Sequence, residues 1–346
     1  MSTGHPIQII GGGLAGLTLG IALRRLEVPV TIWEAGHYPR HRVCGEFISG
    51  RGQQVLARLG LEAALHEAGA RLARHAAVFI GTAGSPVRAL VPPALCLSRF
   101  TLDALLAKDF RMGGGDLREN ARHCGEFAAE GTVRASGRRS HVPKRGWQWF
   151  GLKVHARQVT LAADLELHAM RQGYVGLCRL NEHEVNVCGL FRRRGQPARL
   201  VSWQECLRGA SGSRLHERLA AAEFQQDSFC AIAGLSLRSH RAAERSECCI
   251  GDALTMIPPA TGNGMSMAFE AAELAVAPLV RYSRGELSWA QAREAVARAC
   301  DRAFARRLAW AGWLQLLLTA PAFRGRLGQA LIRSARVWQL MFAGTR

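Results

Sequence analysis

Lysine is nearly absent from this sequence. Only Lys108, Lys144 and Lys153 stand among 45 basic residues, so 45 − 3 = 42 of them are arginine. The formal net charge of +18 would by itself point to nucleic acid or an anionic membrane. An arginine bias beside abundant alanine and glycine instead has the look of a GC-rich coding background. The longest pure basic run is Arg192-Arg193-Arg194, which excludes a basic tail or arm. Aromatics do not interleave the arginines as a base-stacking platform requires, so nucleic-acid binding is set aside. Long apolar runs are also missing. The longest, Leu308 to Phe323, is broken by Gln315 and Pro321 and falls short of the ~20 residues that span a bilayer. Ten cysteines are present, but no two are three apart, which excludes a Cys-x-x-Cys zinc or redox site. No signal-type segment precedes the first strand. Free thiols in a reducing cytoplasm are therefore expected. No Ser/His/Asp triad and no histidine-rich cluster is visible, so no metal is expected.

What is present fills a sizeable core. Of 346 residues, 48% are hydrophobic, and a prior of roughly 150 residues per domain suggests about two domains. Ile7 to Ile10 reads as a strand. It runs into Gly11-Gly12-Gly13-Leu14-Ala15-Gly16, then a helical stretch to Arg25, then a strand ending at Glu34 and Ala35. Gly11 permits the tight turn, Gly13 lets backbone approach a pyrophosphate, and Gly16 lets helix pack on strand. The helix start offers amides and a positive dipole end to phosphate. Glu34, 23 residues after Gly11, is placed for ribose hydroxyls. The motif alone does not separate FAD from NAD. Its place near residue 11 and the lack of a second copy are those of many FAD enzymes.

A second pattern decides for FAD. Gly251-Asp252 is followed by Pro259, seven residues after the Asp, and by Gly262-Asn263-Gly264-Met265 opening a helix. This resembles the glycine-aspartate motif of the para-hydroxybenzoate hydroxylase group of flavin monooxygenases. The resemblance covers most of residues 5–280. It implies that Asp252 holds the ribityl chain and that amides at Gly264 and Met265 face the flavin pyrimidine edge. There a helix N-terminus would stabilise negative charge. It also implies that Pro259 stiffens the loop beside the ring. Arg99 in Arg99-Phe-Thr-Leu-Asp103 resembles the arginine that reaches the FAD phosphates or flavin edge in the same superfamily. Asp103 reads as a first-turn carboxylate. The middle motif, Arg134-Ala-Ser-Gly-Arg-Arg-Ser-His-Val142, has Ser136 where the group has the Asp linked to nicotinamide use. Direct reduction by NAD(P)H is thereby in doubt, and a separate electron donor stays open. Thr255 replaces the usual His of the glycine-aspartate motif.

Arg42-Val43-Cys44-Gly45-Glu46 resembles the Cys-Gly-Glu or Cys-Gly-Gly segment of the geranylgeranyl reductase branch, which lies near the flavin. Cys44, Glu46 and Pro259 are thus the flavin-adjacent candidates for catalysis, with Arg42 among the cofactor residues. Glu46 is open to an ion pair with Arg42 or to solvation in a loop. Tyr174 sits where prenyl reductases and flavin halogenases carry tryptophan motifs, but Gly176 and Cys178-Arg179 leave both incomplete. Halogenation and prenyl saturation are both argued against on that ground. Trp147-Gln148-Trp149 reads as packing at the start of a strand, with Trp149 a candidate pocket residue beside Tyr174.

The expected architecture is α/β: a glutathione-reductase-type FAD-binding Rossmann domain, an inserted antiparallel β-sheet substrate domain and a C-terminal helical tail. The segments are 1–75, 96–142 and 245–285 for FAD, 76–95 and 143–244 for substrate, and 286–346 for the tail. Basic and apolar residues alternate in the tail, which suits either helices covering the cavity or peripheral membrane contact. The implied function is hydroxylation or epoxidation of a lipophilic aromatic or polyketide-like molecule by O2 through a flavin C4a-hydroperoxide. Saturation of isoprenoid double bonds is the alternative.

Overall fold

The computed structural model describes residues 4–138, 146–194, 202–320, 323 and 325–343, the last three by backbone alone. The Arg139–Val142 part of the middle motif, Pro321 and Arg324 lie outside the described residues. The chain runs β1 (Ile7–Ile10), α1 (Leu14–Arg24), β2 (Val30–Trp33), β3 (Phe47–Ile48), α2 (Arg51–Arg58) and α3 (Glu62–Glu67). Next come β4 (Arg71–Ile80), β5 (Ala83–Gly84), β6 (Arg88–Cys96), α4 (Arg99–Met112), β7 (Asp116–Arg118) and β8 (Thr132–Arg134). The middle holds β9 (Trp147–Arg157), β10 (Leu165–Met170), β11 (Gly173–Arg179), β12 (Val185–Arg194), α5 (Trp203–Arg208), α6 (Arg214–Leu219) and β13 (Glu223–Leu235). The chain closes with β14 (Cys248–Cys249), α7 (Gly264–Ser283), α8 (Trp289–Thr319), α9 (Arg326–Arg333) and α10 (Ala335–Ala343).

Two sheets organise these elements. One is parallel, in the order β14-β8-β1-β2-β7. Its central strands are fully buried at Ile7, Ile9, Ile32 and Val133, as expected of a sheet covered on both faces. Helix α1 buries nine of its eleven residues among this sheet, α4 and α7. The other sheet has the order β13-β9-β12-β11-β10-β4-β6-β3 and is antiparallel except where β10 pairs β4. The α/β expectation with a parallel nucleotide-type sheet and a separate β-sheet is met.

Strands β9 to β12 fall within 143–244, where the sequence predicts an antiparallel sheet. Strands β4, β6 and β13 are not read from the sequence. Cross-strand partners supply their pairing, and β6 carries Pro92 and Pro93, which local patterning reads as loop. Strand β9 is buried on both faces. Leu152, Val154 and Ala156 enter one apolar cluster, while Lys153 and His155 are buried on the opposite face.

Candidate flavin-type site

The glycine turn between β1 and α1 is built as its spacing requires. Gly11 has φ +111°, and a Cβ there would meet the backbone of Ala135 and Ser136. A Cβ on Gly16 would run into the Gly11 carbonyl. A Cβ on Gly13 would meet nothing within 4 Å, so the phosphate side of the turn is open. Gly13 caps α1 without a side-chain acceptor. Asn263 likewise leaves α7 without a side-chain cap, whereas Ser98 and Ser288 cap α4 and α8. The uncapped amides at α1 and α7 are therefore left for another acceptor.

The three motifs converge. A Cβ on Gly251 would stand 2.9 Å from the Ala15 methyl. Asp252 follows directly, within electrostatic reach of Arg138 and Arg99. Burial raises its pKa, and those two guanidiniums only partly offset the rise. Gly262, at φ +65°, turns the chain into α7, where Gly264 opens the helix and Met265 is buried. Ser49 donates from its amide to Ser266 Oγ at 3.2 Å and from its hydroxyl to Asn263 Oδ1 at 2.7 Å. The start of α7 is thus tied to β3.

Glu34 is buried and already engaged. Its carboxylate accepts from the amides of Gly12 at 3.0 Å and Gly36 at 2.8 Å, and pairs with Arg40 at 2.5 Å and Arg42 at 3.5 Å. Burial pushes its pKa up, but these donors outweigh burial and hold it below the ordinary carboxylate value. Tyr38 donates its hydroxyl to the Gly12 carbonyl. Ala35 lies exposed beside them. Segment 36–42 thus supplies three of the groups gathered around the Glu34 carboxylate.

Two expectations for charged residues are corrected. Arg42 pairs with Glu34 and, through Nε at 3.2 Å, with Asp103, not with Glu46. Asp103 is not in the first turn of α4. It lies one turn into α4, wholly buried, and takes both Arg99 Nε at 2.6 Å and Nη2 at 2.8 Å. Despite burial, that bidentate pair raises the pKa of Arg99.

Glu46 is wholly buried, in the left-handed region at φ +60°. Its Oε1 accepts from the Arg99 amide at 2.9 Å and lies 3.5 Å from Lys153 Nζ. Its Oε2 is 2.7 Å from His155 Nε2. His155 Nδ1 lies 3.3 Å from Glu184, and Lys153 Nζ is 3.0 Å from His41 Nδ1. His41, Glu46 and His155 have a metal-like spacing, but the Lys153 ammonium stands among them as the cation. Sequence reasoning missed Lys153 and His155. The available signal was two cationic residues at i, i+2 within an apolar strand, placing both on one face.

The titrations of the two histidines oppose each other. Burial disfavours charged His155, yet Glu184 and Glu46 outweigh burial and raise its pKa. Burial and the neighbouring Lys153 and His155 lower His41 to about 4. His155 therefore contributes stability fully below its unfolded value near 6.5, and the contribution fades as pH rises through the raised folded value. His41 acts oppositely, with stability falling as pH drops from 6.5 toward 4. In His155→Gln, the stability gap to wild type should accordingly narrow as pH rises above 6.5. Urea midpoints across that range test this, and a constant gap would refute the charge assignment.

Above the pleated sheet lies a cavity of about 240 Å³. Val43, Cys44, Gly45 and Pro259 line it from the cofactor side, and Tyr174, Cys178, Cys188 and Leu190 from the sheet. Leu314 of α8 and Trp338 of α10 line its outer part. Burial raises the pKa of Cys44 and Cys188, and the Cys96 partner together with burial raises that of Cys178. All three are neutral thiols. Tyr174 donates to Gln315 Oε1 at 3.5 Å. Trp149 is not among the lining residues. It packs one layer out, against the cluster containing Tyr174 and Leu190.

Known structures place this fold. The flavin-dependent brominase Bmp2 superposes with a TM-score of 0.70 at 16% identity, over 99% of this chain and 94% of that one. The myxobacterial chondrochloren halogenase CndH gives 0.68 at 17% identity, over 98% and 96%. Halogenase PltM in complex with phloroglucinol and FAD gives 0.67 at 15% identity, over 97% and 79%. The chain has the fold of the flavin-dependent halogenases. No family model and no curated protein matches the sequence.

Proposed function

We propose that the protein binds FAD and uses it with O2 to oxidise a small lipophilic molecule held in the cavity. The observation that carries this is the meeting of the open, uncapped glycine turn with the Gly251-Asp252 segment, whose continuation at Pro259 to Gly262 lines one apolar cavity on its way into α7. These residues fit FAD. Gly13 leaves room for a pyrophosphate at the α1 amides. Asp252 is an acceptor whose raised pKa a ligand hydroxyl would relieve. FAD supplies the redox chemistry when bound. The chain's own part is to orient the ligand, exclude water with the apolar wall and present amides where charge develops.

The names of the solved neighbours favour transfer of a halogen, and one of them holds the aromatic phloroglucinol; hydroxylation or epoxidation is the second reading. The incomplete tryptophan motif, which alone argues against halogenation, therefore carries less weight than the whole-chain likeness. One observation favours the second reading: three thiols on the cavity wall would compete for a free halogenating oxidant. The relatives do not favour double-bond saturation. Ser136 supports a separate donor of reducing equivalents.

The test supplies FAD, a flavin reductase, O2 and phloroglucinol as probe, with bromide or without. A bromine isotope pattern in the product supports the first reading, and an added oxygen without halide dependence supports the second. A protein that takes up no FAD overturns both.

A further inference from the structure

We infer that the outer face of α8, α9 and α10 docks on an anionic lipid bilayer. This goes beyond the proposed chemistry and does not depend on it. After Asp301 the sequence contains no carboxylate side chain but eight arginines: 302, 306, 307, 324, 326, 333, 336 and 346. That imbalance is local, and a uniform coding bias toward arginine does not explain the loss of every acid. Arg307 is accounted for by its buried bidentate pair with Glu270, at 2.8 and 3.0 Å. Arg302, Arg306, Arg326, Arg333 and Arg336 are exposed.

Large apolar side chains share this exposure. Trp313 is 53% exposed, Leu316 71%, Leu327 62% and Leu340 61%. On α8 the exposed positions 302, 306, 309, 313 and 316 recur at helical spacing, so one stripe runs from arginines to Trp313 and Leu316. The inner faces of the same helices are satisfied. Leu314, Leu318 and Ile332 pack with Tyr174 and Leu190. The outer apolar residues are therefore surplus to the fold. Tryptophan beside arginine suits a bilayer interface, and no described helix is long and apolar enough to cross a membrane. An interfacial seat is the geometry that fits. Basic charge selects anionic headgroups over zwitterionic ones.

The placement joins this surface to the cavity. Leu314 and Trp338 line the cavity from helices whose opposite faces carry the patch. A lipophilic substrate dissolved in the bilayer would meet the cavity at that wall.

Vesicle co-sedimentation of the full chain tests the proposal. Binding is expected to vesicles of phosphatidylcholine with phosphatidylglycerol, weakening with salt, and not to phosphatidylcholine alone. The pair Arg306→Ala/Arg336→Ala should lower partitioning roughly 25-fold, at about five-fold per arginine. The pair Trp313→Ser/Leu316→Ser should also release the protein. Both pairs lie at exposed positions and should keep the wild-type thermal midpoint. Three results would overturn the inference: equal binding to both vesicle types, binding to neither, or binding to duplex DNA with anionic vesicles ignored. Vesicle binding requires no cofactor, so its failure would leave the flavin reading intact.

Discussion

Asp103→Ala should cost the fold about 3–5 kcal/mol, the loss expected when one partner of a buried ion pair is removed. Asp103 is wholly buried and closes two hydrogen bonds with Arg99 and a third with Arg42. Without it, the Arg99 guanidinium remains in the interior with no counter-charge from that side. Arg42, which is partly exposed, can turn to Glu34 or water, so most of the cost falls on Arg99. Asp103→Asn should cost less, because an amide oxygen still accepts. The double change Arg99→Met/Asp103→Leu should recover much of the loss, since an apolar pair of similar size avoids burying charge. Urea midpoints of the three variants decide the matter. A loss under about 1 kcal/mol for Asp103→Ala, the range of exposed pairs, would show that solvent screens Arg99 after all.

The second large effect is on binding. Gly13→Val should leave the fold intact and reduce FAD affinity on the order of 100-fold, about 2.7 kcal/mol. The backbone at Gly13, φ −84° and ψ −172°, is extended and open to any residue, and its Cβ would touch no protein atom. The added side chain would instead fill the space where a pyrophosphate approaches the amides. Gly16→Ala is the contrasting control. Its Cβ strikes the Gly11 carbonyl, so that variant should lose stability with or without cofactor. Equilibrium flavin titration of Gly13→Val is the measurement. Wild-type affinity there would remove the turn from the cofactor site.

Much of this arrangement was legible in the sequence because it is local. Strand, glycine turn, helix and acid follow one another from Ile7 to Glu34, and each is set by neighbours in the chain. The glycine-aspartate segment is also local, so Asp252, Gly262 and Gly264 could be placed before any fold was known. The charge network was not legible, because its pairs are distant. Glu46 meets His155 across 109 positions and Arg42 meets Asp103 across 61. The nearer sequence left Glu46 open to a pair with Arg42 or to solvation in a loop. The left-handed turn at Glu46 instead sends the two side chains to different partners. Trp149 shows the same limit on the sheet. Alternation gives its face, but only the tertiary packing shows that it lies against the cluster of Tyr174 and Leu190 and off the cavity wall.

The three thiols on the cavity wall carry a consequence of another kind. Cys44, Cys178 and Cys188 border the cavity in which the proposed function would bring substrate and oxidant together. As neutral thiols they are slow nucleophiles, but on that proposal an oxidant that escapes the substrate has them within the same cavity, and oxidation beyond the sulfenic stage is irreversible. Each uncoupled cycle would then carry a chance of ending the molecule's working life. Activity would be limited by the number of turnovers completed and not by time in solution, and a saturating, well-seated substrate would itself be the protectant.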